Sequence, residues 1–235
     1  MLRRALFLLL LAVTPAEARI AGVLLDQPVA LPAFTLEDHD GKPFTERSLP
    51  GRWTLLALGF TNCPDVCPVT LSDLEAARAE LSTTTTPERL PRILFLAVDP
   101  ARDRPVLRAY TTRFHPDFLG VTGDPGAIAR LADGLDAKLR IGPPDATGAY
   151  EVAHSAAVSV IDPEGRLVAK LSPPFDPAET AAFLTGLARA RLRGESRPAA
   201  ASLLVPPAPA AAPAQDHAHS HAHDHAHDHA PGKAP

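Results

Sequence analysis

The sequence predicts an α/β domain, and three observations carry that prediction. Short β-type apolar runs alternate with helical patterns from residue 22 to about residue 189, the order expected when helices cover a sheet. Turn signals, Asp38-His39-Asp40-Gly41-Lys42 and Asp162-Pro163-Glu164-Gly165, fall between apolar runs and not inside them. With 46% hydrophobic residues in 235, the chain can bury one good core, and the remaining length belongs to ends or linkers.

Taken in order, residues 34–36 and 43–45 form a hairpin through Asp38 to Lys42, because those turn residues tolerate the backbone angles required. The stretch 53–60 reads as the first core strand and 93–98 as the second. Residues 69–81, 104–114, 125–135 and 177–193 read as helices. The tight turn at 162–165 sets strands 158–161 and 167–171 antiparallel. A central mixed sheet flanked by helices, which begins with crossover helices and ends in a hairpin, is the thioredoxin-like layout. The hairpin at 34–45 is an addition at its N-terminal side.

Four regions are expected. Residues 1–18 read as an export signal, with Arg3 and Arg4, an apolar stretch over 5–13 and Ala16-Glu17-Ala18 as a cleavage site. That stretch is shorter than the about 20 residues that span a bilayer core, so membrane association follows only if the segment is retained. The expected location is the bacterial periplasm. Residues 19–193 form the folded domain, 194–216 a Pro/Ala-rich linker without means of burying a core, and 217–235 a His-rich tail. A net charge of −4 with no basic stripe argues against a nucleic-acid role.

The only two cysteines stand four apart in Gly59-Phe60-Thr61-Asn62-Cys63-Pro64-Asp65-Val66-Cys67-Pro68, at a predicted strand-to-helix turn. Unpaired N–H groups and the macrodipole at a helix start favour thiolate, the form that attacks disulfides and binds metals. The prolines place the expected start of regular helix near Pro68, with Cys63 to Cys67 in a tight turn ahead of it. A pair at this spacing can clasp a metal or close as a disulfide. A plain structural bridge is the weaker alternative, because so short a loop constrains the unfolded chain little. Export also matters: an oxidising compartment favours the disulfide unless a reductant acts on it.

Outside the tail three histidines remain. His39 in the hairpin turn and His115 before Pro116 are expected to be solvated loop residues. His154 stands directly before strand 158–161, which in a thioredoxin-like domain faces the first strand-to-helix turn. A soft or borderline metal held by two thiolates commonly takes an imidazole as well; a hydrogen-bonded structural histidine is the competing reading.

The motif at 59–68, together with Val98-Asp99-Pro100-Ala101-Arg102-Asp103, His154 and Asp162-Pro163-Glu164-Gly165, closely resembles the Sco/SenC family over residues 32–187. Its members take part in copper delivery and in assembly of the dinuclear copper site of cytochrome c oxidase. The resemblance implies that Cys63, Cys67 and His154 are copper ligands, for Cu(I) or Cu(II), in a thioredoxin-like fold. It also implies that thioredoxin's cis-proline is absent, and Ser155-Ala156-Ala157 stands at that position. Ala153 occupies a place where many members carry an acidic residue. Expected partners are the copper-site subunit of cytochrome c oxidase, a periplasmic copper donor and a thioredoxin-like reductant.

A second function class remains open: thiol-disulfide exchange with Cys63 as nucleophile and Cys67 as resolving thiol, acting on the oxidase cysteines. A peroxidase is the weakest alternative. Asp99 and Asp103 end the second strand near the same surface, either as a cap and ion-pair cluster or as groups orienting the ligands. In the tail His217, His219, His221, His223, His225, His227 and His229 alternate with other residues. That tract reads as an auxiliary low-affinity metal store.

Overall fold

A computed structural model describes residues 22–147 and 150–195. The expected signal at 1–18 and His-rich tail at 217–235, with nearly all of the linker, lie outside the described residues.

Among the described residues ten strands and five α-helices follow one another. The strands are β1 (Gly22–Ala30), β2 (Thr35–Asp38), β3 (Pro43–Thr45), β4 (Thr54–Gly59), β5 (Arg92–Ala97), β6 (Leu119–Thr122), β7 (Leu139–Ile141), β8 (Val152–His154), β9 (Val158–Ile161) and β10 (Arg166–Leu171). The helices are α1 (Val66–Ser82), α2 (Pro100–Asp103), α3 (Leu107–Thr112), α4 (Pro125–Gly134) and α5 (Pro177–Leu192). Eight strands form one mixed sheet in the order β1-β10-β9-β4-β5-β6-β2-β3, while β7 and β8 form a separate ribbon. The β4, β5 and β6 strands run parallel, while β9 and β10 pair antiparallel, as the sequence predicts for those two. This is the α/β, thioredoxin-like arrangement.

Both faces of the sheet are covered, so the central strands are apolar throughout instead of alternating with polar residues. Leu55, Ala57 and Phe95 face a core completed by α1 and α5, whereas Leu56, Leu58, Leu94 and Leu96 face one completed by α4 and the hairpin. All six residues of β4 are buried, and each buried Leu side chain stabilises by about 1.5–3 kcal/mol. The two-sided burial holds the end of β4 rigid where the cysteine turn leaves it.

The hairpin β2-β3 joins the far edge of the sheet through β6. Arg104 pairs with Glu37 and Arg108 with Asp40, tying the hairpin to the segment that follows β5. His39 takes part: its Nδ1 lies 3.0 Å from Thr111 Oγ1 and accepts from Gly120 N–H at 3.2 Å. The expectation of a solvated His39 is therefore corrected, and burial leads the causes that lower its pKa. His115 is likewise engaged, with its Nε2 2.9 Å from the guanidinium of buried Arg78.

Three further element expectations change. Helix α1 begins at Val66, not near Pro68. A proline in a first turn lacks only an N–H that has no intrahelical partner anyway. The helix expected over 104–114 shortens to α3 at Leu107–Thr112, because a turn at 104–106 separates it from α2. Strands β1, β6, β7 and β8 lacked a sufficiently clear apolar period to be read beforehand. Among the described residues no helix is long and apolar enough to cross a membrane.

Candidate metal centre

Helix α1 explains why its two sulfurs differ. Its buried residues, Cys67, Thr70, Leu71, Leu74, Ala77, Arg78 and Leu81, recur at the spacing of one helix face. Cys67 opens that stripe and is 3% exposed. Cys63 lies before the helix and is half-buried, in a turn closed by its own N–H donating to Phe60 O at 3.2 Å. The N–H of Cys67 donates to Cys63 Sγ at 3.5 Å. The sulfur thus takes the place of a capping oxygen at a helix whose N-cap residue, Asp65, makes no side-chain cap bond.

The electrostatic consequences diverge. Burial by itself would raise the Cys63 thiol, but hydrogen bonds from the Cys67, Asp65 and Val66 backbone and from the Cys67 thiol hold its pKa below the usual thiol value. At Cys67 burial dominates, and with the nearby Cys63 and Asp103 it pushes the thiol up to about 12, against a smaller lowering by the Phe60 backbone. Cys63 is the accessible, readily ionised sulfur. Cys67 surrenders its proton only to a strong local positive charge or a base.

His154 ends β8 and reaches the same place from late in the chain. Its Nε2 lies 3.8 Å from Cys67 Sγ, and its Nδ1 lies 3.0 Å from Ser155 O. A carbonyl only accepts, so Nδ1 carries a proton and Nε2 is the nitrogen that presents a lone pair toward the sulfur. The Phe60 ring stands edge-on to the imidazole at 6.1 Å. Among the described residues no cis peptide falls at 155–157, leaving the backbone beside His154 free of the proline that the fold places there in thioredoxin.

The donor set fits a soft or borderline ion of low coordination number. Bonds of about 2.3 Å to sulfur and 2.0–2.1 Å to an imidazole, at a trigonal angle, separate sulfur from nitrogen by about 3.8 Å, the spacing found between Cys67 and His154. No group of three or more His, Cys, Asp or Glu side chains among the described residues is already closed as a metal cluster; the contacts are two pairs that share Cys67. No disulfide joins the cysteines.

Gly59 is required by contact. A Cβ there would stand 2.5 Å from the Phe95 ring and 2.8 Å from Cys67 Sγ, so only glycine lets the sulfur pack against the end of β4. Sequence reasoning also left Tyr150 unassigned, although its hydroxyl donates to Asp99 Oδ1 at 2.8 Å. A lone tyrosine in a loop gives no period or motif by which to find it.

The geometry stands beside consistent likenesses. The family model described as SCO1/SenC matches residues 25–189. Mitochondrial SCO2 of Saccharomyces cerevisiae is 37% identical over 146 residues, 61% of this chain and 48% of that protein; the chain spans about half the length of the mitochondrial relatives it matches. The apo Sco1 structure from Thermus thermophilus superposes with a TM-score of 0.63 at 34% identity, covering 73% of this chain and 99% of that one. Yeast Sco1 with copper bound gives 0.62 at 31% identity, covering 72% and 96%. With the cysteine turn, the late histidine and the sheet order all in place, the chain belongs to the SCO1/SenC family.

Proposed function

We propose that this protein is a copper carrier that holds one copper ion through Cys63, Cys67 and His154 and delivers it during assembly of the dinuclear copper site of cytochrome c oxidase. The observation that carries the reading is the 3.8 Å approach of His154 Nε2 to Cys67 Sγ across 87 residues of sequence. Copper-bound Sco structures, such as that of yeast Sco1, support copper as the cargo.

In this reading Cys63 receives the ion first, since it is only half-buried and its thiolate is the more accessible. The ion's charge then displaces the Cys67 proton, and rotation of Cys63 Sγ away from the Cys67 N–H completes the set with His154. Release runs in reverse. A target thiolate or imidazole replaces Cys63, the ligand that solvent reaches, and no bare ion is set free. A partner donor loads the protein after export to the periplasm, a reductant keeps the thiols open, and the oxidase copper-site subunit receives the cargo. The seven tail histidines from His217 to His229 act as a loose store for copper, joined through a flexible linker that raises the local concentration.

The unequal thiols favour a second activity of the same pair. Cys63 thiolate attacks a target disulfide to give a mixed disulfide, and Cys67, once deprotonated, displaces the target thiol. His154→Ala separates the two. We expect it to weaken copper binding sharply while reduction of a small disulfide remains largely intact; unchanged copper binding would overturn the carrier reading.

A further inference from the structure

Helix α2 lies between the two segments that bear the proposed ligands, and its side chains reach both. Asp103 at its end is completely buried. Its Oδ1 accepts from the Thr61 N–H at 2.7 Å and the Thr61 hydroxyl at 2.8 Å, two residues before Cys63. Its Oδ2 accepts from the Asp99 N–H at 2.9 Å. Asp99 precedes the same helix and is 3% exposed. It accepts the Tyr150 hydroxyl at 2.8 Å and pairs with Arg102, whose guanidinium lies 3.9 Å from the centroid of the Tyr150 ring. Tyr150 stands four residues before His154.

The histidine needs such a tie. The β7-β8 ribbon that carries it is not hydrogen-bonded into the eight-stranded sheet, and a two-stranded ribbon is marginal by itself. The cysteine turn, by contrast, leaves a strand buried on both faces. A single helical turn, about 1.5 Å long per residue, is therefore bonded at one side to the thiol segment and at the other to the imidazole segment. Both tying carboxylates are buried, so each bond that is removed leaves an acceptor with poor access to water.

We propose that α2 is a strut that sets the distance between His154 and the thiols, with Tyr150, Asp99 and Asp103 as positioning residues. The proposal rests on the copper reading above and adds the element that holds its third ligand in place. Outer partners of this kind orient metal ligands, and their loss costs about 10–100-fold in metal affinity. The Tyr150 arm acts on the imidazole alone; the Asp103 arm acts on the thiol turn.

The test is a Cu(II) titration of the full chain followed through thiolate-to-copper charge-transfer absorption, to which the tail imidazoles do not contribute. Tyr150→Phe removes one hydroxyl and leaves the ring on Arg102. It should raise the dissociation constant of the thiolate site about 10–100-fold, with the rate of Cys63 toward a small disulfide reagent unchanged. Asp103→Asn places an N–H against the Thr61 or the Asp99 donor and should depress both readouts. Parental affinity in Tyr150→Phe overturns the strut, as does an equal loss of affinity and thiol reactivity in that variant, which marks general unfolding. A parent chain with no charge-transfer band, or one whose band survives His154→Ala at full affinity, refutes the copper reading itself.

Discussion

At the scale of single residues, two cysteines four apart have acquired different chemistry because one stands before a helix and the other on its buried face. The helix N–H groups stabilise charge on Cys63, while the core opposes charge on Cys67. Brief alkylation of the reduced protein near neutral pH should therefore modify Cys63 almost exclusively, with Cys67 reacting only after unfolding; mass mapping of the modified peptides checks this. Comparable labelling of both thiols in the folded protein would remove the asymmetry. Rate against pH should rise with a midpoint below that of an ordinary thiol, since the lowered Cys63 pKa gives thiolate at lower pH. Gly59→Ala tests the contact on the other side of Cys67. The new methyl must displace either the Phe95 ring or the sulfur, with an expected loss of about 1–3 kcal/mol in denaturant unfolding and weakened copper binding in addition. Normal stability with normal binding would show that the strand end yields freely.

Elements of the fold differ in how plainly they could be read beforehand. Strand β4 and helix α1 were legible because β4 is an apolar run ended by a turn motif and α1 carries an apolar residue every three or four positions. Strands β9 and β10 were legible because Gly165, with φ of 80°, supplies the turn that a tight hairpin needs. Ribbon β7-β8 was not, since its exposed and half-buried residues leave no period to detect. That ribbon carries His154, so the histidine could be ranked by position and by family resemblance, but its distance to Cys67 could not. Helix α1 starts two residues ahead of the expected Pro68, because that proline occupies the third helical position and not the first. Leu74 lies in the middle of the α1 stripe and is fully buried. Leu74→Ala should cost about 2–5 kcal/mol, measured by urea unfolding, and a value under 0.5 kcal/mol would mean that α1 is not anchored as described.

For the whole molecule, topology separates the metal centre from the end of the described chain. The last turns of α5, at Arg189, Arg191 and Leu192, line a cleft with Gly51, Trp53 and Pro91, residues that precede β4 and β5, whereas Cys63 and Cys67 follow the opposite end of β4. The linker must therefore traverse the length of the domain if the tail is to supply the site. A fully extended segment reaches about 3.1 Å per residue in the polyproline conformation, so the expected 194–216 linker has ample length. Truncation after Arg193 should slow copper loading when metal is limiting and leave the copper content of the folded domain unchanged. Identical loading kinetics would dismiss the tail as a store.

The central claim is that an imidazole from the β8 ribbon completes a copper site with the two sulfurs of the α1 turn. X-ray absorption at the copper edge, on the reduced chain truncated after Arg193 and loaded with one equivalent of Cu(I), addresses it most directly. The account predicts two sulfur neighbours and one nitrogen neighbour, with the nitrogen lost in His154→Ala. A nitrogen neighbour that persists unchanged in that variant, or a copper without sulfur neighbours in the parent chain, would contradict it.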